Sequence, residues 1–221
     1  MKLLISAVTK TILGVVLIGA LLFWPAGTFN YPGAWLFIGL LFIPTLILGV
    51  VLFILAPDLL KKRIDSKEKE AKQGVLIKLM GLMFLLGFVV SALDFRYSWS
   101  SVPTWLVIVA SVAFLIGYLG YAEVLRENAY LSRTVEVQDG QTVVSTGLYS
   151  IVRHPMYLAT LLMFPAMPVI LGSFFGLIPM VLYPVIIVVR IINEERLLTR
   201  ELVGYAEYKA KVKYRLIPFV W

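Results

Sequence analysis

Two polar clusters interrupt a chain in which 60% of residues are hydrophobic, and their side chains could do chemistry together. The first is Gly147-Leu148-Tyr149-Ser150-Ile151-Val152-Arg153-His154-Pro155-Met156-Tyr157, which holds the single histidine between an arginine and a proline. The second is Arg190-Ile191-Ile192-Asn193-Glu194-Glu195. Arg190 and Glu194 are four positions apart, so on a helix they share one face and could pair. A guanidinium can orient an anionic reactant, and a carboxylate can take a proton. Ionisable groups held near membrane depth are costly and mark function by default.

Other chemistries are poorly served. His154 with two adjacent glutamates is a thin ligand set, without HxxxH or HxxE spacing, so no metal is expected. Zero cysteines leave no disulfide and no thiolate nucleophile. No G-x-S-x-G elbow is present for a serine hydrolase. Gly117-Tyr118-Leu119-Gly120 lies inside an apolar run, where small residues serve helix packing. No dinucleotide fingerprint occurs, so any nucleotide-like cofactor must be held in another way.

The elements that must position these residues are membrane spans. A mean hydropathy of +0.91 with 15% charged residues excludes an ordinary soluble domain. Runs near the ~20 residues that a bilayer core demands extend from Leu4 to Trp24, Ala34 to Ala56, Val75 to Leu93 and Thr104 to Leu125. The first has no small-residue cleavage site after it and is expected to be a span rather than a signal peptide. Leu158 to Val189 is too long for one span and predicts a hairpin with short arms, bent at Gly172-Ser173-Phe174-Phe175-Gly176. Such a hairpin returns Arg190 to the face it left after Tyr157. His154, Tyr157, Arg190 and Glu194 can then converge.

The net charge of +7 follows topology rather than a nucleic-acid partner. With an inside N-terminus, nineteen of the twenty Lys and Arg residues fall on or near the inner face, and Arg96 alone lies outside. That is the positive-inside pattern, and it favours anionic headgroups. Trp24, Tyr31, Trp35, Tyr97, Trp99 and Trp105 flank the outer connections as an aromatic belt. Pro57 to Gly74 is a solvated charge run. Within Arg126 to Arg153, alternation at 134–137 and 141–144 around Gln138-Asp139-Gly140 predicts a small hairpin or extended loop on the membrane face. Pro155 suits the first turn of a helix, which places His154 at its start. Arg190 to Lys213 predicts an amphipathic helix at the inner surface, with a possible break at Gly204. The apolar end, Tyr214 to Trp221, is expected to dock on the body.

These residues carry a resemblance. Thr146-Gly147-Leu148-Tyr149, Arg153-His154-Pro155-Met156-Tyr157 and the later Glu194-Glu195 resemble the isoprenylcysteine carboxyl methyltransferase family and its phospholipid methyltransferase relatives. Gly204-Tyr205-x-x-Tyr208 through Arg215-Leu216-Ile217-Pro218 is similar to the tail of many bacterial members, with Val203-Gly204 in place of the usual Phe-Gly. The resemblance covers Asn128 to Trp221, whereas residues 1–125 match only as generic spans. It divides the chain into membrane helices (1–125) and a cofactor-binding region (126–221).

The resemblance implies an integral-membrane methyltransferase that uses S-adenosylmethionine without a Rossmann domain. It implies that Gln141, Thr142, Val143 and Val144 contact the cofactor. Tyr149, His154, Pro155, Met156 and Tyr157 would wrap it, and Glu194 would accept from its amino group. Arg190 matches a substrate-facing arginine. Because the hairpin is one residue shorter than in eukaryotic members, Glu195 competes with Glu194 for the cofactor contact, and both are candidate acid-base groups. The chemistry is complementary: a carboxylate for the ammonium, helix-start N–H groups for the carboxylate, and tyrosine faces for the sulfonium.

The expectation is therefore an all-α polytopic membrane protein: four transmembrane helices, a carboxyl-terminal transmembrane hairpin and a cytosolic amphipathic helix. Its N-terminus, cofactor loop and last helix would lie on the cytoplasmic side. It would methylate a lipid-like or isoprenoid acceptor, an isoprenylcysteine carboxylate being one candidate. The alternatives are an NADPH-dependent reductase of the sterol-reductase kind and a non-catalytic scaffold or transporter. Against transport, no charged residue lies near the middle of Ala34 to Ala56 or Thr104 to Gly120, and no paired broken spans recur.

Overall fold

Proline and glycine set the helix boundaries in the computed structural model, which describes residues 2–65, 71–131 and 137–221. Helix α1 (Lys2–Ala26) ends at Gly27, and α2 (Pro32–Leu55) opens on a proline whose missing N–H costs nothing in the first turn. After a short α3 (Pro57–Asp65) come α4 (Ala71–Tyr97) and α5 (Thr104–Glu127). A 3-10 turn at Gly147–Ser150 leads into α6 (Pro155–Ile170), which again starts on its proline with His154 as the residue before it. The bend at 171–176 returns the chain through α7 (Leu177–Met180) and α8 (Leu182–Glu201), and α9 (Tyr205–Lys211) follows.

The protein is an all-helical polytopic membrane protein. Among the described residues, five helical segments are long and apolar enough to cross a bilayer: those of α1, α2, α4 and α5, and Leu177–Glu201. The hairpin is thus unequal. Helix α6 has 16 residues, about 24 Å at 1.5 Å per residue, short of a ~30 Å hydrocarbon core. Its partner α8 runs without interruption past Val189 to Glu201. The second cluster therefore sits within a continuous helix, not at the start of a separate amphipathic one. That helix ends at Leu202, and Gly204, with φ of +85°, turns the chain into α9.

Packing closes one end of the bundle. Leu22, Phe37, Phe88, Phe114, Met163, Met167 and Ile170, from α1, α2, α4, α5 and α6, form the largest core toward the hairpin bend, with Tyr31 from the connection before α2. Helix α6 lies along α5, and Gly117 permits the approach, because a Cβ there would stand 2.7 Å from the Ala159 carbonyl oxygen. At the bend, Tyr31 donates to the Leu171 carbonyl at 2.6 Å. Asp94, fully buried, accepts from Ser173 at 2.5 Å and from the Ser100 N–H and hydroxyl at 2.7 and 2.6 Å.

The opposite end carries the loops and α9. The turn at Gln138-Asp139-Gly140 forms, with the Gln141 N–H donating to the Gln138 carbonyl at 3.0 Å. Residues 141–144 make no strand, and positions 134–136 of the expected alternation lie outside the described residues. The apolar face of α9, Tyr205 and Tyr208 with Val212, packs on Leu202, Leu198, Val143 and Val137, so it is spent on the loop rather than left for lipid. The tail docks: Leu216 joins Met83, Tyr157, Tyr183, Ile187 and Ile191 in a second core.

Candidate active site

A strap of main chain fixes the first polar cluster. The Arg153 and His154 N–H groups donate to the carbonyls of Tyr214 and Arg215, both at 2.9 Å, so the tail holds the entry to α6. The Arg153 guanidinium donates to the carbonyls of Val212 and Lys213 at 2.6 and 2.8 Å and to Glu195 at 2.6 Å. Arg215 reaches the other oxygen of Glu195 at 2.9 Å, and the His154 ring nitrogen lies 3.4 Å from this carboxylate. The side chains of Arg153 and Glu195 are each 4% exposed. Burial of this kind holds only with the pair intact, since either partner alone would be a buried charge.

One turn of helix separates that knot from a different arrangement. Arg190 donates to the Tyr157 hydroxyl at 2.9 Å, and that hydroxyl donates to Glu194 at 2.7 Å. The relay borders a cavity of about 1160 Å³. One part of its wall is polar, from residues of the loop, α6, α8 and α9; the rest is largely apolar and includes Phe42, Leu48, Ile77 and Phe84 of α2 and α4. The Tyr149 hydroxyl accepts from the Asn128 amide at 2.9 Å, which leaves its own proton for another partner. Burial pushes the Tyr149 hydroxyl up to about 12, with Asn128 opposing and the nearby Glu194 and Glu127 adding to the rise, so it stays protonated at neutral pH. Tyr208 donates to the Tyr149 carbonyl at 2.7 Å and pins the 3-10 turn beneath α9.

All but one of the residues that the sequence suggested for cofactor contact border this cavity: Gln141, Thr142, Val143, Val144, Tyr149, His154, Pro155, Met156, Tyr157 and Glu194. Arg190 borders it as well. Glu195 does not, because it turns to the other side of α8, into the knot with Arg153 and Arg215. Tyr205 borders the cavity too, although the sequence marked it only as part of the tail resemblance and gave it no cofactor role. Its hydroxyl is buried without a hydrogen-bond partner among the described residues. Burial, then Glu195 and Glu194, raise its pKa well above the usual tyrosine range, so it is a neutral donor. No metal-binding group of His, Asp or Glu occurs among the described residues.

The arrangement offers a carboxylate, two neutral tyrosine hydroxyls and an oriented arginine at the polar end of a largely apolar cavity, which suits an amphiphilic reactant. Residues 105–204 match the phospholipid methyltransferase family model (PEMT). The matched region runs from the start of α5 past the end of α8, and so contains both polar clusters and the hairpin that joins them. The family resemblance carried by Arg153-His154-Pro155 and Glu194-Glu195 is borne out. No curated protein matches the chain as a relative. Just under half of the chain is thus similar to a methyltransferase family, and it lies in a membrane protein.

Proposed function

We propose that the protein is an integral-membrane methyltransferase that takes its methyl group from S-adenosylmethionine and passes it to a lipid-like or isoprenoid acceptor. The observation that carries this reading is Glu194: a carboxylate, tethered by Tyr157 and Arg190, that borders a large and mainly apolar cavity. The donor set fits the cofactor. Glu194 matches an ammonium, and the partnerless Tyr205 hydroxyl is a buried donor that a polar ligand would satisfy. Bound S-adenosylmethionine supplies an electrophilic methyl group on a sulfonium centre.

The chain's own residues would do the rest. Glu194 accepts from the cofactor's amino group, and in the first turn of α6 the Met156 N–H is a main-chain donor for its carboxylate, since Pro155 has none and the Tyr157 N–H is held by the His154 carbonyl. Gln141 to Val144 and Tyr149 line the remainder, with α9 closing over them to exclude water. Arg190 orients an anionic acceptor. A carboxylate acceptor is already a nucleophile and needs only to be placed in line, so positioning supplies most of the rate. An amine or thiol acceptor would hand its proton to Glu194. Glu195 holds Arg153 in place and acts as a positioning residue, not a catalytic one.

The loop-bearing end is assigned to the cytoplasm on the positive-inside pattern. The chain has no cysteine, so single introduced cysteines report sidedness cleanly. An impermeant maleimide added to intact cells should label Asn30→Cys and spare Gln138→Cys; the reverse would invert the orientation. For the reaction, membranes containing the protein are incubated with methyl-labelled S-adenosylmethionine and the lipids extracted. Label in a lipid fraction, lost in Glu194→Ala, is expected. Absence of label together with saturable NADPH binding would point to reductase chemistry instead.

A further inference from the structure

A second cleft, of about 510 Å³, opens on the side of α8 away from the cavity. Four cations line it: Arg196 and Arg200 from α8, Lys209 from α9 and Arg215 from the tail. Glu195 forms part of its lining, but that carboxylate is already shared between Arg153 and Arg215. Glu201 offsets only Arg200, at 2.5 Å. Lys209 stands 3.9 Å from Glu195, too far to hydrogen-bond it, and Arg196 is exposed with no ion pair among the described residues. The cleft is therefore left with net positive charge.

Its depth identifies what the charge faces. Val185, Val188 or Val189, Ile192, Arg196 and Thr199 recur every three or four positions, and so form one stripe of α8. The valines of that stripe are exposed, as a lipid-facing surface would be. At Ile192 the stripe meets the cleft, and one turn later it becomes cationic. An apolar stripe that ends in a pocket of arginines is complementary to one kind of molecule, with acyl chains along the valines and a phosphate at their end. The tail agrees: Trp221 stacks under the cleft's Arg215 at 5.1 Å, and the adjoining Phe219 and Val220 are 88% and 76% exposed.

We infer that the cleft between α8, α9 and the tail is a binding site for the headgroup of an anionic phospholipid, separate from the methyl-transfer cavity. The inference does not depend on the methyltransferase reading. Arg215 and Lys209 touch or approach Glu195, so the bound phosphate would sit three contacts from Arg153 and brace the strap that positions α6.

The test uses the full chain in detergent, with Trp24, Trp35, Trp99 and Trp105 replaced by Phe so that Trp221 alone reports. Brominated phosphatidylglycerol should quench Trp221 saturably, and brominated phosphatidylcholine should quench it at least tenfold less effectively. Arg196→Gln combined with Lys209→Gln should weaken the phosphatidylglycerol effect at least tenfold. Arg196→Lys alone should retain it, and S-adenosylhomocysteine binding should be unchanged in both. Equal quenching by the two lipids, or no effect of the double variant, would overturn the site. Competition by inorganic phosphate at millimolar concentration would overturn the lipid in favour of a soluble anion. Failure to bind S-adenosylhomocysteine would count against the methyltransferase reading alone.

Discussion

The two ends of the carboxyl-terminal hairpin hold acidic groups in opposite ways. At the bend, Asp94 is fully buried and both its oxygens are engaged by Ser100 and Ser173. At the far end, among the described residues, Glu194 accepts from Tyr157 and borders a cavity, beside a Tyr205 hydroxyl with no partner. Each carboxylate lies in or beside an apolar bundle, where an unmet polar group costs free energy. The first has been satisfied by its neighbours, so its work is to hold α4, the 98–103 connection and the bend together. The second is only partly buried and open on one side, and an open group facing a cavity is what a ligand completes. Polarity within membrane helices does not by itself mark a site; unsatisfied polarity facing space does.

Adjacent residues repeat the lesson on a smaller scale. Glu195 is saturated by Arg153 and Arg215, whereas Glu194 is not. The largest expected effect accordingly belongs to Glu195. Glu195→Ala leaves Arg153 buried and unpaired, and should cost about 3–5 kcal/mol of stability, seen as loss of the folded fraction in a detergent thermal melt. Asp94→Ala should cost about 1–3 kcal/mol by leaving Ser173 and the Ser100 N–H unsatisfied. Ligand binding at the other end of the hairpin should not change.

Glu194→Ala should show the reverse pattern. Its melting temperature should stay close to wild type, since no buried cation depends on it alone, while S-adenosylhomocysteine affinity falls. A lost charge-assisted hydrogen bond of about 1.5–3 kcal/mol corresponds to roughly ten- to a hundredfold in Kd. Tyr205→Phe is the smallest and most pointed change. Removing a partnerless hydroxyl should leave the fold as stable or slightly more so, yet weaken the ligand by about 1 kcal/mol, measured by the same titration. A destabilised Tyr205→Phe with unchanged affinity would break the contrast.

Much of this was legible in the residues. Hydropathy located all four amino-terminal spans and the bend, because lipid-facing runs need no tertiary context to be recognised. Pro155 marked the start of α6 because its missing N–H costs nothing in a first turn. What escaped depended on neighbours. Composition ended the third span at Leu93 and put Asp94 in a connection, but Ser173, far away in sequence, makes its burial possible. Helix α8 runs through Arg190 to Glu201 because that segment is braced on α6 and the tail, through Tyr157 for Arg190 and through Arg153 and Arg215 for Glu195. No sequence signal separates Glu194 from Glu195. Which way each turns is set by the 100° step between helix neighbours and by where Arg153 stands. Tyr205 was visible as an aromatic at helical spacing, and only the closed cap reveals a hydroxyl without a partner.

The central claim, that the open end of the hairpin is a cofactor site and the closed end is not, is tested most directly by one titration. Isothermal calorimetry of S-adenosylhomocysteine into detergent-purified protein should show one site per chain in the wild type. Asp94→Ala should bind as the wild type does, and Glu194→Ala at least tenfold more weakly. A wild-type chain that binds none, or a Glu194→Ala chain that binds equally well, would contradict the account.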